Sequence, residues 1–387
     1  MPASVVISNK GSERLRAGHP WIYRSDVAGA GIEPGALVLV KSERGRPLGW
    51  ALFSSTSQIA LRMVSYEATV NDATMWYERI QAAISYRDSM NIDATARRLV
   101  HGEADRLPAL VVDQYDDVLV VQTLCQGIDR RRDMVVAALV DQLKPRGILA
   151  RNDPKVRRLE GLEETIEVLY GDVPEVVRVR EGKIFHDVDV RRGQKTGLFL
   201  DQRENHLAAA SIARGYALDA FSYHGGFALQ MAANCDHVIA LDSSEPAVDV
   251  IAAGARANNL ANVETRVVNV FDELREFDIA NHRFDTIVLD PPAFAKNKAS
   301  ITGAMAGYKE INLRAMKLLK PGGYLMTCSC SYNISDTMFH DVIVDASHDA
   351  RAEMVLVERR LQSRDHPVLL GVPETSYLKC LVLRKIA

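Results

Sequence analysis

The stretch that most limits what this chain can fold into is 216–242, Y-A-L-D-A-F-S-Y-H-G-G-F-A-L-Q-M-A-A-N-C-D-H-V-I-A-L-D. Tyr216–Ala220 is a short, largely apolar run that predicts a strand. Phe221–Gly226 breaks it with turn-forming residues, and Phe227–Ala233 is a helix-forming run of small and straight-chain residues. Val238–Leu241 predicts a second buried strand, with Asp242 at its carboxyl end. A parallel βαβ unit of this kind places ligands at the carboxyl ends of its strands. Gly225 and Gly226 are expected to let a backbone approach a ligand with no Cβ in the way. An acid ending the second strand can accept two hydrogen bonds from a ribose diol.

The turn departs from the dinucleotide fingerprint. Phe221, Ser222, Tyr223 and His224 fill the places where a G-x-G-x-x-G needs glycine. A pyrophosphate wants closely spaced bare amides at a helix N-terminus. The looser turn suits a nucleoside without phosphate, and the commonest such cofactor is S-adenosylmethionine.

At 387 residues the chain exceeds one ordinary core, so two or three domains are expected. No apolar run approaches the roughly 20 residues of a membrane span. The N-terminus, Met1-Pro2-Ala3-Ser4, has no basic region followed by an apolar one, so no secretory signal is read. Five cysteines, at 125, 235, 328, 330 and 380, include no Cys-x-x-Cys pair. A disulfide framework and a zinc knuckle are not expected, no metal is called for, and a reducing cytoplasm fits. The net charge of −3 speaks against an indiscriminate polyanion binder but allows a local basic face.

That face is expected near the N-terminus. Val5 to about Tyr66 reads as a small β-rich domain, with strands at Leu37–Val40 and Ile59–Val64 punctuated by Gly29-Ala30-Gly31, Pro34-Gly35 and Gly45. Lys10, Arg14, Arg16, Arg24, Lys41, Arg44, Arg46 and Arg62 outnumber Glu13, Asp26, Glu33 and Glu43 there. Gly18-His19-Pro20-Trp21-Ile22-Tyr23 interleaves aromatics with that charge, a composition that meets phosphates and stacks on unpaired bases. A plain barrel with a solvated face and Trp21 in its core fits the same residues. Further on, Asn71–Met90 has helical spacing, with Met75, Ile80, Ala83 and Ile84 on its apolar face. Leu110–Val112 and Val118–Thr123 predict strands, Asp129–Leu143 a helix, and Ile148–Ala150 another strand. Lys183–Val190 and Thr196–Leu200 predict a hairpin turning at Arg191–Gln194, followed by a helix over Arg203–Ala213. The pattern changes divide the chain into 1–68, 69–180 and 181–387.

After Asp242, Glu245–Asn259 reads as a helix and Val263–Val268 as a third strand ending at Asn269, placed to bond an adenine amino group. Ile287–Leu289 is a fourth strand, running into Asp290-Pro291-Pro292-Ala293-Phe294. Two prolines stiffen that loop and remove backbone donors, presenting the Asp290 carboxylate at the sheet edge. A helix over Tyr308–Leu318, a turn at Lys320-Pro321-Gly322-Gly323 and a strand over Tyr324–Thr327 lead into Cys328-Ser329-Cys330-Ser331.

The cysteines select a chemistry. Carbon 5 of cytosine is a poor nucleophile until a thiolate adds to ring carbon 6. That addition is helped by protonation or hydrogen bonding at ring nitrogen 3. One thiol and one carboxyl on the same sheet edge are therefore wanted, and Cys330 and Asp290 can supply them. A free thiol has a pKa of about 8.5 and needs local help to ionise. If strand geometry continues through them, Cys328 and Cys330 share a face, both near a site or both in a core.

Taken together, the chain resembles the ribosomal RNA large subunit methyltransferase I family. The resemblance is carried by Gly18-His19-Pro20-Trp21, by 101–108 (H-G-E-A-D-R-L-P) with Leu110-Val111-Val112-Asp113, and by 195–203 (K-T-G-L-F-L-D-Q-R). Asp219–Phe227, Asp290–Phe294 and Ser329-Cys330-Ser331 complete it. It implies an N-terminal PUA-like RNA-binding barrel, a central α+β domain and a C-terminal Rossmann-like α/β methyltransferase sheet. The implied activity is S-adenosylmethionine-dependent 5-methylcytosine formation in 23S rRNA, with Cys330 as nucleophile, Asp290 near nitrogen 3, and a homodimer. The candidate cofactor set is Gln202, Arg203, Asp219, Phe221, Ser222, Gly225, Asp242, Ser243, Asn269, Asp290 and Pro291. The candidate RNA set is Arg14, Arg16, His19, Trp21, Arg24 and Lys195. Asn269 replaces the family's third-strand acid, and Ala293 stands where a second cysteine assists product release in other RNA cytosine-5 enzymes. Cys328 is extra to the pattern and is read as structural. Two alternatives stay open: a methyltransferase acting on a guanine or adenine amino group without a cysteine, and an RNA-binding relative without turnover.

Overall fold

The computed structural model describes residues 3–28, 31–295 and 297–387. Met1-Pro2 and the first two residues of the expected Gly29-Ala30-Gly31 turn lie outside the described residues. The chain divides into two compact units. One comprises Met1–Val179, Asp187–Leu200 and Asp365–Thr375, the other Arg180–His186, Asp201–Arg364 and Ser376–Ala387.

The first unit holds two sheets. The N-terminal one has six strands, among them Trp21–Tyr23, Leu37–Ser42, Pro47–Phe53 and Ile59–Ser65, and encloses Ile7, Ile22, Val38, Val40, Ala51 and Leu61. It also carries a helix, Asn9–Arg16, that periodicity does not reveal. Ser8 caps it by accepting from the Gly11 amide, and Gly11, Ser12 and Leu15 are buried. The second sheet has five strands, two of which, Ala96–His101 and Thr165–Gly171, the sequence pattern leaves unmarked. Val118–Thr123 is buried at every position and Gly147–Asn152 likewise, so both read as apolar runs. The Asp72–Ser89 helix, capped by Asn71, turns Trp76, Ile80, Ala83, Ile84 and Arg87 inward, and Met75 packs at the edge of that core.

The expected hairpin is different. Ile184–Val188 pairs with Val177–Glu181, turning through Gly182 at φ +54°. Thr196–Leu200 forms no strand. Thr196 is buried, donates to Asp113 at 2.6 Å and shares a hydrogen bond with the Tyr115 hydroxyl at 2.9 Å. That polar anchoring bends a stretch expected to be the hairpin's second strand.

The second unit is a seven-stranded sheet. Its strands are β1 (Tyr216–Ala220), β2 (His237–Asp242), β3 (Val263–Val267), β4 (Phe284–Leu289), β5 (Leu319–Ser329), β6 (Met354–Arg360) and β7 (Lys379–Lys385). They lie in the order β3-β2-β1-β4-β5-β7-β6, with β7 antiparallel to both neighbours and β1 to β5 parallel. Leu218, Ala220, Ile239 and Leu241 pack on one face with Ile311, Ala315 and Phe339. Ala217, Val238, Ala240, Val288 and Met326 pack on the other with Phe227, Leu229 and Ile251. Burial on both faces explains why these strands read as unbroken apolar runs. The Lys320–Gly323 turn is a break inside β5. Leu319 pairs with Phe284 and Tyr324 with Thr286, and Gly322 adopts φ +81°. The strand order reverses beside β1, so β1 and β4 send the chain out in diverging directions at their carboxyl ends, which leaves a crevice there.

Candidate active site

The β1 turn is strained as well as loose. Phe221 and Tyr223 adopt φ +66° and +49°, and Gly225 +78°, conformations that side chains with a Cβ seldom hold. The glycines answer to packing rather than to ligand access. A Cβ on Gly226 would lie 2.4 Å from Cε1 of His206, and one on Gly225 would meet Ile251 at 3.0 Å. His206, from the Arg203–Ile212 helix, bonds through Nδ1 to Glu181 at 2.8 Å. Burial works against both charges, but each partner favours the other's ion, so His206 is raised and Glu181 lowered from their ordinary values. Residues 181 and 206 form no local pattern, which is why the pair escapes a reading of the sequence.

Asp219 is wholly buried. Its Oδ2 accepts from the Ala228 amide at 3.0 Å, while Oδ1 has no hydrogen-bond partner among the described residues. Burial pushes its carboxyl up to about 6, partly offset by Ser222 and the Ala228 amide. An orphaned buried carboxylate oxygen at the end of β1 is a ready acceptor for an amino or hydroxyl group. Ser222 is buried and donates to the Asp219 carbonyl at 2.9 Å. At the end of β2, Asp242 accepts from the Tyr223 amide through Oδ2 and the Ser244 amide through Oδ1, both at 2.9 Å. Each oxygen keeps a lone pair for a diol. Ser243 beside it is exposed. Asn269 is exposed too and spends its side-chain oxygen on capping the next helix, accepting from Phe271 at 2.9 Å.

Asp290 follows β4. Gln202 donates to its Oδ1 at 2.9 Å, and Asn205 donates to the Gln202 oxygen at 2.6 Å. Burial raises the Asp290 carboxyl to about 7, with His206 pulling it back and Asp201 adding to the rise. Gln202 and Arg203 are both buried. Pro291 is buried as well, and its carbonyl lies 3.9 Å from the Cys330 sulfur.

Cys328 and Cys330 part company. Cys328 lies in β5 opposite Cys380 of β7, fully buried, its thiol pushed well up by Cys380 and by burial. Strand geometry ends at Ser329, so Cys330 escapes the alternation and stands half-buried in the loop. Tyr308 reaches that loop: Ser329 donates to its hydroxyl at 2.9 Å, and the hydroxyl meets Ser331 at 3.0 Å. Sequence reading missed Tyr308, which has no motif of its own. The second unit thus brings Gln202, Asp219, Ser222, Asp242, Asp290, Pro291 and Cys330 to the carboxyl edge of one sheet.

The expected RNA residues are held differently. Arg14 pairs with Asp26 at 2.9 Å and lies over the Tyr23 ring. Arg24 donates to the Ser54 and Ser57 carbonyls. His19 faces Glu374 at 3.6 Å, and the Trp21 indole donates to Glu103 at 2.9 Å. Arg16 and Lys195 are exposed, Lys195 over the Phe199 ring at 4.3 Å. Among the described residues no helix is long and apolar enough to cross a membrane.

The chain matches a PUA-like domain family over residues 5–66 and an S-adenosylmethionine-dependent methyltransferase family over residues 97–384. It is 36% identical to ribosomal RNA large subunit methyltransferase I of Erwinia tasmaniensis, covering 98% of this chain and 99% of that one. It is 38% identical to the same-named protein of Vibrio cholerae, covering 99% of this chain and 100% of the relative. Two solved structures share the fold. One is a candidate methyltransferase complexed with S-adenosylhomocysteine, with a TM-score of 0.84, and the other a candidate methyltransferase from Streptococcus mutans, with 0.82. Each is 21% identical and covers 99% of this chain and 100% of its own. Whole-length identity of this order, with both domain families in register, makes the chain a member of the ribosomal RNA large subunit methyltransferase I family, whose catalytic part is an S-adenosylmethionine-dependent methyltransferase.

Proposed function

We propose that this protein methylates carbon 5 of a cytosine in 23S rRNA through a covalent adduct on Cys330. The observation that carries the reading is the pairing at the sheet edge: the Cys330 sulfur 3.9 Å from the Pro291 carbonyl, next to an Asp290 carboxyl raised to about 7. The two groups are a nucleophile and an acid that keeps its proton up to about neutral pH.

The Cys330 thiolate bonds to carbon 6, and the electron pair of the 5,6 double bond moves to carbon 5. Asp290, neutral and oriented by Gln202, donates to ring nitrogen 3 and eases that addition. S-adenosylmethionine, when bound, supplies the electrophilic methyl group. Once carbon 5 has taken the methyl, its proton passes to water, and the electron pair left behind restores the double bond as the carbon–sulfur bond breaks and the thiolate leaves. The bare Asp219 oxygen suits the cofactor's amino group and Asp242 its ribose diol. Phe221, Ser222, Gly225, Ser243, Asn269, Arg203 and Pro291 line or support the same edge. Residues 1–68 serve the RNA, residues 69–180 are a central α+β domain, and Arg16 and, beyond both, Lys195 are exposed phosphate contacts. Residues 181–387 do the chemistry, in a cytoplasmic homodimer.

The test uses labelled S-adenosylmethionine and 23S rRNA lacking its own modifications, with wild type and Cys330→Ala, followed by digestion to nucleosides. Label in 5-methylcytosine that disappears in the variant is expected. Label in a purine, or label indifferent to Cys330, would overturn the mechanism.

A further inference from the structure

Lys379 opens β7, its Cα paired with that of Ser329 at the end of β5. The side chain is buried, and its ammonium donates to the Ser331 and Ile334 carbonyls, both at 2.8 Å. No carboxylate pairs with it among the described residues. A buried cation held only by neutral acceptors is costly, and both acceptors here belong to the loop that starts at Cys330. From the other side, Tyr308 ties down the serines flanking the cysteine. The loop is thus pinned through its side chains by a neutral phenol and through its carbonyls by a positive charge.

We propose that Lys379 is the positioning residue for the Cys330 thiol, fixing the loop and setting a positive charge beside the residues that carry the sulfur. This rests on the reading of Cys330 as nucleophile. Carbonyl stapling alone would need only a donor, whereas a thiolate is stabilised by a nearby cation. The titratable groups about this loop are Lys379 from β7, Tyr308 from the Ile301–Leu318 helix and Asp290 after β4, while Asp336, which opens the Asp336–Ala350 helix, acts on the lysine. Burial lowers the lysine's pKa, and Asp336 and the Cys330 sulfur oppose that fall. Asp290, raised to about 7, carries little opposing charge below neutrality.

The experiment measures the rate of Cys330 carbamidomethylation against pH, peptide by peptide, in the full chain. Lys379→Met is expected to slow alkylation at pH 7 by about tenfold and move the inflection up by about one pH unit. Lys379→Arg should retain most of the wild-type rate. Lys379→Gln, which keeps a donor for the carbonyls, should behave like the methionine variant and stands in for it if that variant fails to fold. Cys328 reports folding in every sample, because it reacts only when the sheet opens. A wild-type profile in a folded neutral variant overturns the proposal and leaves Cys330 itself untouched. Methylation indifferent to Cys330 sinks the underlying reading instead, whatever the alkylation shows.

Discussion

Gln202 holds Asp290 by one oxygen, 2.9 Å from its amide nitrogen, and is itself held by Asn205 at 2.6 Å. The orienting amide comes from the chain entering the sheet and the acid from the end of β4, 88 residues later. This relationship orients the acid, and burial raises it so that it holds its proton to about pH 7.

The first prediction follows from that carboxyl. With its folded value raised to about 7 and an unfolded value of about 3.9, the folded protein binds a proton that the unfolded chain has lost between those pH values. Stability therefore declines as pH rises from about 4 to about 7. Asp290→Asn should be more stable than wild type by about 1–2 kcal/mol at pH 8, after allowance for partial exposure, with the gap closing toward pH 4. Urea unfolding across that range measures it. In the same variant the alkaline fall of kcat/KM near pH 7 should flatten.

Asp219 offers a bare oxygen at the end of β1. Asp219→Ala should weaken S-adenosylmethionine binding about ten- to a hundredfold, the worth of one charged hydrogen bond in a buried site. Isothermal titration decides this, and unchanged affinity would remove Asp219 from the cofactor set.

Cys328 packs against Cys380 in the core. Cys328→Ala should keep covalent RNA trapping and cost about 1 kcal/mol of stability, since little volume is removed. Trapping that vanishes in Cys328→Ala but persists in Cys330→Ala reverses the two assignments.

Arg16 and Lys195 are exposed cations. Arg16→Ala and Lys195→Ala should each lower the slope of log affinity against log salt for rRNA by about 0.7–0.9, the release of one counterion. Trp21→Phe, which removes the indole bond to Glu103, should destabilise the first unit by about 1 kcal/mol. Filter binding over a salt series reads the first effect and thermal melting the second.

The sequence by itself determined the catalytic sheet. β1, β2 and β4 are buried on both faces, so each appears as an apolar run stopped by a turn former, and the acids 219, 242 and 290 stand at or beside their ends. It also marked Cys330 and the two-proline loop, because their chemistry is local. What only the tertiary structure decided depends on distant partners. Gly226 is a glycine because His206 occupies its side-chain space. Thr196 leaves the extended state because Asp113 binds its hydroxyl. Cys328 and Cys330, alike in sequence, separate because β5 ends between them. Lys379 meets the Cys330 loop from 48 residues away, through the antiparallel register of β5 and β7. Such contacts follow from which strand lies beside which, and the hydrophobic period that predicts a strand carries no information about its neighbour.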